Sequence, residues 1–304
     1  MDKVLVADTV AREGVDILRR AAQVDVNDKI TAEELRAAIP DYAALIVRSR
    51  TQVTAPIIEA GTRLRVIGRA GVGLDNIDTE AAAKRGVQVI NSPLSASVAV
   101  AEHTLGMMLA LARFIPQSDA SLKRGEWAKS KYLGVELNGK TLGLVGIGRI
   151  GSIVATRAIA FGMRVLAFDP YVTVERAQQL GVTLSGSLDE VLAQSDFVSI
   201  HTPLIPETRG MIGAAQIGKM KRNARMVFCA RGGVVDENAL LDALNQNVIA
   251  GAALDVFENE PPGENPLLKH PRVVVTPHLG AMTEEAQTKA AMDIAEQTLK
   301  ILQA

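Results

Sequence analysis

One stretch limits the folds open to this chain more than any other. Leu142-Gly143-Leu144-Val145-Gly146-Ile147-Gly148-Arg149-Ile150-Gly151 sets three glycines in G-x-G-x-x-G spacing between an apolar run and a segment of helical periodicity. A strand that turns sharply into a helix needs a residue without Cβ at the turn, here Gly146. Gly148 clears space for a group to approach the backbone, and Gly151 lets helix and strand pack closely. The first turn of such a helix carries amide donors without partners and a partial positive charge, which suits a pyrophosphate. Alone the pattern is weak, because tight connections also carry glycines. The next apolar run, Arg164 to Phe168, ends in Asp169, 18 residues after Gly151. A carboxylate about 20 residues on is spaced to accept hydrogen bonds from adenosine ribose hydroxyls.

Such an acid also repels a 2′-phosphate, so the expected cofactor is NAD rather than NADP. Asp169 precedes Pro170, which leaves a simple turn-forming role as the alternative. Arg164 stands too early in its run to meet a 2′-phosphate.

The rest of the chain repeats the strand and helix alternation of parallel sheets with crossover helices. Strands are expected at Val4 to Asp8, Ala44 to Ser49, Arg65 to Ala70 and Val87 to Asn91, with helices around Gly14 to Ala22, Thr31 to Ile39 and Thr79 to Lys84. Thr31-Ala32-Glu33-Glu34 has capping-box spacing. An Ala-, Leu- and Met-rich helix, Val98 to Arg113, then reads as a connector that Pro116 ends or kinks. A second series of strands follows: Thr141 to Val145, Arg164 to Phe168, Phe197 to His201, Arg225 to Ala230, Ala250 to Phe257 and Arg272 to Thr276, with a helix at Arg149 to Phe161. Thr283 to Leu302 has helical spacing suited to packing back on the first domain. The expected fold class is α/β with two doubly wound parallel-sheet domains, which fits 304 residues at about 150 per domain.

Composition narrows the function. The 33 basic residues nearly cancel the 34 acidic ones, and six Phe, three Tyr and one Trp are too few for base-stacking platforms, so no nucleic-acid partner is expected. The apolar stretch Thr104 to Ala112 is far short of the about 20 residues of a membrane span. The N-terminus shows no secretion-signal pattern, and the single Cys229 fits a cytoplasmic protein and offers no cysteine-rich metal site; no metal is expected.

A nicotinamide enzyme needs a proton donor or acceptor near the hydride carbon and a cation for an acidic substrate. Of four histidines, His103 in the connector helix and His270 in a polar loop read as packed or solvated, whereas His201 and His278 each follow a strand, where open α/β sheets place ligands. Spacing does not choose between them. Arg231 follows an apolar strand within Ala230-Arg231-Gly232-Gly233, a turn from which a guanidinium can hold a carboxylate bidentately or simply face solvent. Glu260, before Pro261, is either a solvated loop acid or a partner that would raise a histidine's pKa. Cys229 reads as an inert strand residue.

The ordered set of the glycine turn, Asp169, His201-Thr202-Pro203, Ala230-Arg231-Gly232-Gly233, Ala253-Leu254-Asp255-Val256-Phe257, Glu260-Pro261 and Pro277-His278-Leu279-Gly280-Ala281 resembles the D-2-hydroxyacid dehydrogenases over essentially the whole chain. The resemblance implies a flavodoxin-like substrate domain, residues 1–97 plus 287–304, an NAD-binding Rossmann domain, residues 98–286, and an active site in the cleft. It implies His278 as acid/base, Glu260 as its partner and Arg231 as the substrate-carboxylate binder. It assigns Gly146, Gly148, Arg149, Ile150, Gly151, Asp169, Thr202, Cys229, Ala230, Arg231, Asp255, His278, Leu279, Gly280 and Ala281 to the NAD site.

Ile46-Val47-Arg48-Ser49, Gly68-Arg69-Ala70-Gly71 and Asp75-Asn76-Ile77-Asp78 are similar to the branch of that family that oxidises D-3-phosphoglycerate on the way to serine. By that similarity Arg48, Arg69 and Gly71 bind a phosphorylated 2-hydroxy acid, members without the phosphate usually having a neutral residue at the Arg69 position. The family also implies a homodimer built through residues 98–134, with Lys129 and Lys131 assisting the neighbouring subunit's site. Many members of that branch continue into serine-sensing C-terminal domains, so a chain of this length is expected to be a short, serine-insensitive form or a piece of a longer one. Val72, Ala96 and Phe228 depart from the usual polar residues, which is expected to alter affinity rather than chemistry. The alternatives are a hydroxypyruvate or glyoxylate reductase and an NAD-sensing corepressor of the same fold.

Overall fold

Twelve short strands form as two separate parallel sheets in the computed structural model, which describes residues 1–304. The chain divides into two units: residues 1–99 with 281–304, and residues 100–280. The bounds drawn from the sequence were 97/98 and 286/287.

In the first unit β1 (Lys3–Val6), β2 (Gln23–Val26), β3 (Ala44–Val47), β4 (Val66–Arg69) and β5 (Gln88–Asn91) pair in the order β2-β1-β3-β4-β5. This is the flavodoxin-like order, in which the crossovers leave the first strand in both directions. Central β3 is buried at all four positions, as a parallel strand covered on both faces must be. Edge strand β2, Gln-Val-Asp-Val, is exposed at both ends and part-buried between them, and its short polar pattern carries no strand signal in the sequence. The helix Ala55–Ala60 was also missed, since six residues with a proline in the first turn show little periodicity. The Thr31 capping box is present, with both reciprocal hydrogen bonds.

The final helix, Glu284–Gln303, belongs to this first unit and packs on the helix Arg12–Arg19. A Cβ on Gly14 would lie 2.5 Å from the Ala291 carbonyl oxygen, so only glycine allows the two helices to approach this closely. Ala290, Ile294, Ala295 and Leu302 of that helix bury against Val4, Val6, Ile46 and Val66 in one core cluster.

In the second unit β6 (Thr141–Val145), β7 (Arg164–Phe168), β8 (Thr183–Leu184), β9 (Phe197–Ile200), β10 (Arg225–Phe228), β11 (Gly251–Leu254) and β12 (Val273–Val275) pair in the order β12-β11-β10-β9-β6-β7-β8. All are parallel, and the direction of winding reverses between β6 and β9. Open sheets of this kind bind ligands beyond the carboxyl ends of the strands at that reversal. The predicted connector helix forms as Ser97–Arg113. It ends at Arg113 and the chain bends just before Pro116, as expected: Phe114 turns left-handed at φ 55°, and a new helix, Ile115–Lys123, starts with Pro116 in its first turn, bent by 62° from the first. A proline there loses no hydrogen bond, because the first-turn amides have no partner within the helix. No single helix is long and apolar enough to cross a membrane.

Candidate functional site

The glycine turn leaves β6 at the point of reversal and leads into the helix Arg149–Ala160. Gly146 sits at φ 91°, a conformation that L side chains rarely adopt, and a Cβ there would be 3.2 Å from the His201 carbonyl group. A Cβ on Gly151 would lie 2.3 Å from the Gly146 oxygen, whereas one on Gly148 would meet nothing within 4 Å. Two of the glycines therefore serve the fold, and Gly148 alone opens onto empty space at the helix N-terminus, beside Arg149 and Ile150. That is the cradle a pyrophosphate requires. Beside it, the Thr202 hydroxyl is buried and has no hydrogen-bond partner, an unusual condition that a polar ligand group would relieve. Both observations fit a dinucleotide.

Asp169, just past β7, does two things. Its Oδ1 accepts from the Tyr171 amide at 2.9 Å, forming the turn, and its Oδ2 accepts from the Ile147 amide inside the glycine turn at 2.9 Å. The turn-forming role is thus real, and it also ties the acid to the phosphate loop. Arg164, at the opposite end of β7, bonds the Thr141 hydroxyl at 3.1 Å.

His201 and His278 occupy different environments. Burial pushes the His201 imidazole down to about 4; its Nε2 pairs with the Ser199 hydroxyl at 2.9 Å and its Nδ1 is buried without a partner. Part-buried and with its charged form disfavoured, it is poorly suited to exchange protons with a substrate. His278 has a half-exposed ring whose Nδ1 lies 2.6 Å from Glu260 Oε2. Burial raises the Glu260 pKa, but the hydrogen bond and charge of His278, the Phe257 amide at 3.1 Å and the nearby Arg231 guanidinium outweigh it, holding the carboxyl below its usual range. Arg231 Nη1 donates to its neighbour's carbonyl, Ala230 O, at 2.8 Å. Gly232 explains why these loops meet: a Cβ there would lie 1.8 Å from the Phe257 oxygen, so glycine lets the Arg231 turn touch the segment that carries Glu260.

His278 is itself left-handed, at φ 53°, a conformation that costs free energy and persists only where the surroundings enforce it. Asp255 enforces it. Its carbonyl accepts from the His278 amide at 2.8 Å, and its carboxylate accepts from the amides of Leu279 at 2.7 Å and Gly280 at 2.9 Å. The same fully buried carboxylate takes the Thr276 hydroxyl at 2.5 Å and His103 Nε2 at 3.2 Å. Burial raises its pKa, and these donors more than offset the effect, leaving it below the usual range. Asp255, assigned to the cofactor by resemblance, thus has its oxygens engaged in shaping the loop of residues 278–280. His103, read from the sequence as a packed or solvated ring, is part of this network. Its only signal was its place in a buried helix.

Cys229, beside Asp255 and Thr104, is buried and its thiol is pushed up to about 12, by burial and then by the Asp255 charge. His103, Cys229 and Asp255 have ligand-type atoms within 4.8 Å of one another. The protonated thiol and the fully engaged carboxylate make this a hydrogen-bonding cluster.

In the first unit Arg48 follows β3 and Arg69 ends β4, so neighbouring strands present both from their carboxyl ends. Arg48 Nη1 donates to Thr9 O at 3.3 Å; burial lowers the guanidinium pKa against a raising effect of Asp8. A Cβ on Gly71 would lie 1.7 Å from Arg69 Nη1, so Gly71 exists to let that guanidinium lie across the backbone.

Comparison with known proteins agrees with this geometry. Residues 105–280 match the family described as D-isomer specific 2-hydroxyacid dehydrogenase, NAD binding domain. The chain belongs to this family. Within the D-isomer specific 2-hydroxyacid dehydrogenases it is similar to the protein named D-3-phosphoglycerate dehydrogenase in Methanocaldococcus jannaschii, at 51% identity over 99% of this chain and 58% of that protein. It is 47% identical to the protein of the same name in Bacillus subtilis, over 99% of this chain and 57% of that one. The chain thus spans little more than half the length of these curated relatives. Among solved structures, a glyoxylate reductase from Paecilomyes thermophila is 31% identical, with a TM-score of 0.85, over 97% of this chain and 93% of the other. The family match covers the unit that carries the glycine turn, Asp169, Arg231, Glu260 and His278.

Proposed function

We propose that this chain is the catalytic part of an NAD-dependent dehydrogenase that oxidises D-3-phosphoglycerate to 3-phosphohydroxypyruvate. The observation that carries the chemistry is the 2.6 Å contact between His278 Nδ1 and Glu260 beside Arg231. Glu260 accepts from Nδ1, which fixes the tautomer in which Nε2 holds a free lone pair. That nitrogen takes the proton from the 2-hydroxyl as the carbonyl forms, and returns it in the reverse reaction. Arg231 grips the substrate carboxylate through parallel hydrogen bonds and polarises the developing carbonyl oxygen. Bound NAD supplies the hydride acceptor. Gly148, the amides that follow it and Thr202 hold the pyrophosphate, Asp169 holds the ribose and selects NAD over NADP, and the backbone of Leu279, Gly280 and Ala281 lines the same site.

Arg48 and Arg69 bind the substrate phosphate in this reading. It is supported by their side-by-side strand ends, by the space Gly71 gives Arg69, and by the names of the similar proteins. A homodimer is part of the proposal, supported by exposed Val98, Ile115, Leu122, Trp127 and Leu133 along one segment. Sedimentation at micromolar concentration tests it; a monomer refutes it.

The deciding experiment measures NAD- and NADP-linked oxidation of D-3-phosphoglycerate beside glycerate and lactate, and the reduction of glyoxylate. The expected result is a preference for the phosphorylated acid with NAD, lost in Arg69→Ala. A preference for an unphosphorylated acid that Arg69→Ala leaves unchanged overturns the substrate assignment.

A further inference from the structure

A cluster of buried polar side chains in the first unit plays no part in the mechanism above, and its chemistry is directed at one loop. Asp8 follows β1 and is 2% exposed. Its Oδ2 accepts from the Arg48 amide at 2.6 Å and the Thr51 amide at 3.3 Å; its Oδ1 accepts from the Thr51 hydroxyl at 2.6 Å and pairs with Arg50 Nε at 3.1 Å. Asn76, 9% exposed, approaches the same loop with its donor group: Nδ2 donates to the carbonyls of Arg48 at 2.8 Å and Thr51 at 2.7 Å. The two residues bracketing the loop, Arg48 and Thr51, therefore have both amide and carbonyl held by side chains from outside it.

The chemistry is complementary atom by atom. Only donors converge on the Asp8 carboxyl oxygens, and only carbonyls converge on the Asn76 amide nitrogen, which can only donate. Exchanging either residue for its amide or acid counterpart would set donor against donor or oxygen against oxygen. A buried carboxylate is costly unless its oxygens are engaged, and neither the sheet nor a helix end draws on this one. The Arg48 guanidinium is also tethered next to Asp8, at Thr9 O. Main chain and side-chain tip are thus both referenced to the same turn after β1.

We propose that Asp8 and Asn76 form a buried clamp that fixes the Arg48–Thr51 loop and so presents Arg48 to an anionic substrate, both acting as positioning residues for affinity. This rests on the reading of Arg48 as a substrate-binding cation. Its specific consequence is that the clamp works through Arg48 alone: it sets substrate affinity and leaves the hydride step and NAD binding untouched.

The test uses the full chain with D-3-phosphoglycerate and NAD, in Asp8→Asn, Asn76→Ala, Arg48→Ala, and each clamp variant combined with Arg48→Ala. The clamp variants should raise KM for the acid about tenfold while kcat and the KM for NAD stay within about twofold. In the Arg48→Ala background they should raise KM no further, since the interaction they support is gone. Hydrogen exchange at the Arg48 and Thr51 amides should quicken in both clamp variants while β3 amides keep their protection. If Asp8→Asn does not fold, Asn76→Ala gives the same readouts. An unchanged KM in Arg48→Ala overturns the role of Arg48 itself. A raised KM there, with clamp variants that leave KM unchanged, add fully to Arg48→Ala, or leave loop exchange unaltered, overturns the clamp and spares the reading of Arg48.

Discussion

Lowering the pH from 7 to 5 is expected to weaken the second unit through one side chain, His201. Burial pushes this imidazole from the usual 6.5 to about 4. Its Nε2 pairs with Ser199, and its buried Nδ1 has no acceptor that could take the second proton of an imidazolium. The unfolded chain takes up that proton near 6.5, the folded chain only near 4. The unfolded state therefore binds more protons throughout this window, so the contribution is fully present above 6.5 and is lost as pH falls towards 4. For one group with these two values the linkage relation gives a loss of about 1.8 kcal/mol between pH 7 and pH 5. Urea unfolding of the wild type and His201→Gln at both pH values measures it, and the chain's four histidines make the ring signals separable by NMR. A His201 ring that titrates near 6.5 refutes the reasoning, as does a His201→Gln protein that loses as much stability on acidification as the wild type.

Gly148→Ala should fold as the wild type does, because its Cβ meets nothing, yet bind NAD at least about tenfold more weakly by displacing the pyrophosphate from its amide donors; calorimetry and thermal melting check both halves. Gly151→Ala, with its Cβ 2.3 Å from the Gly146 oxygen, should instead lower the melting temperature of the unit itself. Glu260→Gln keeps the shape of the side chain and removes its charge, and kcat should fall about 10- to 100-fold; unchanged turnover would remove Glu260 from the mechanism. The wild-type Glu260 carboxyl, held below its usual 4.5, contributes stability above that pH and loses it as pH falls through the depressed value, so acid unfolding of Glu260→Gln should begin less steeply.

The parts of this structure that could be read from sequence are those where burial writes a pattern. β6 and β7 were bounded to the residue, because each is a run of apolar residues closed by glycine or aspartate. β2 and β8 lie at sheet edges, where one side of the strand is free and polar residues are tolerated, so their sequences carry no contrast. Pro116 marked the end and bend of the connector helix at Arg113 but not the helix that follows, because the same residue that ends one helix is welcome at the start of the next. The glycine turn and Asp169 were legible from spacing. The choice of His278 over His201 was not: both follow strands, and what separates them, Glu260 against one ring and enclosure around the other, depends on loops brought together at Gly232. Asp8 and Asn76 left no trace of their roles and His103 only its place in a buried helix, since a single polar residue at a strand end or in a helix has no period, and its partners lie 25 to 173 residues away.

The return of the last helix to the first unit gives the two units different histories on the ribosome. Residues 100–280 form one uninterrupted stretch and can finish folding as soon as they emerge. The first unit emerges earlier but stays unfinished until residues 281–304 arrive, and until then Val4, Val6, Ile46 and Val66 lack the helix that covers them. The half made first is thus completed last, and its closure spans the whole of the other. Closing so long a loop costs only slightly more entropy than closing a short one, because the penalty grows with the logarithm of length. The burden falls on time rather than on stability: during the synthesis of some 180 residues, one apolar sheet face waits for its cover, which makes that interval the point at which a chaperone has most to protect.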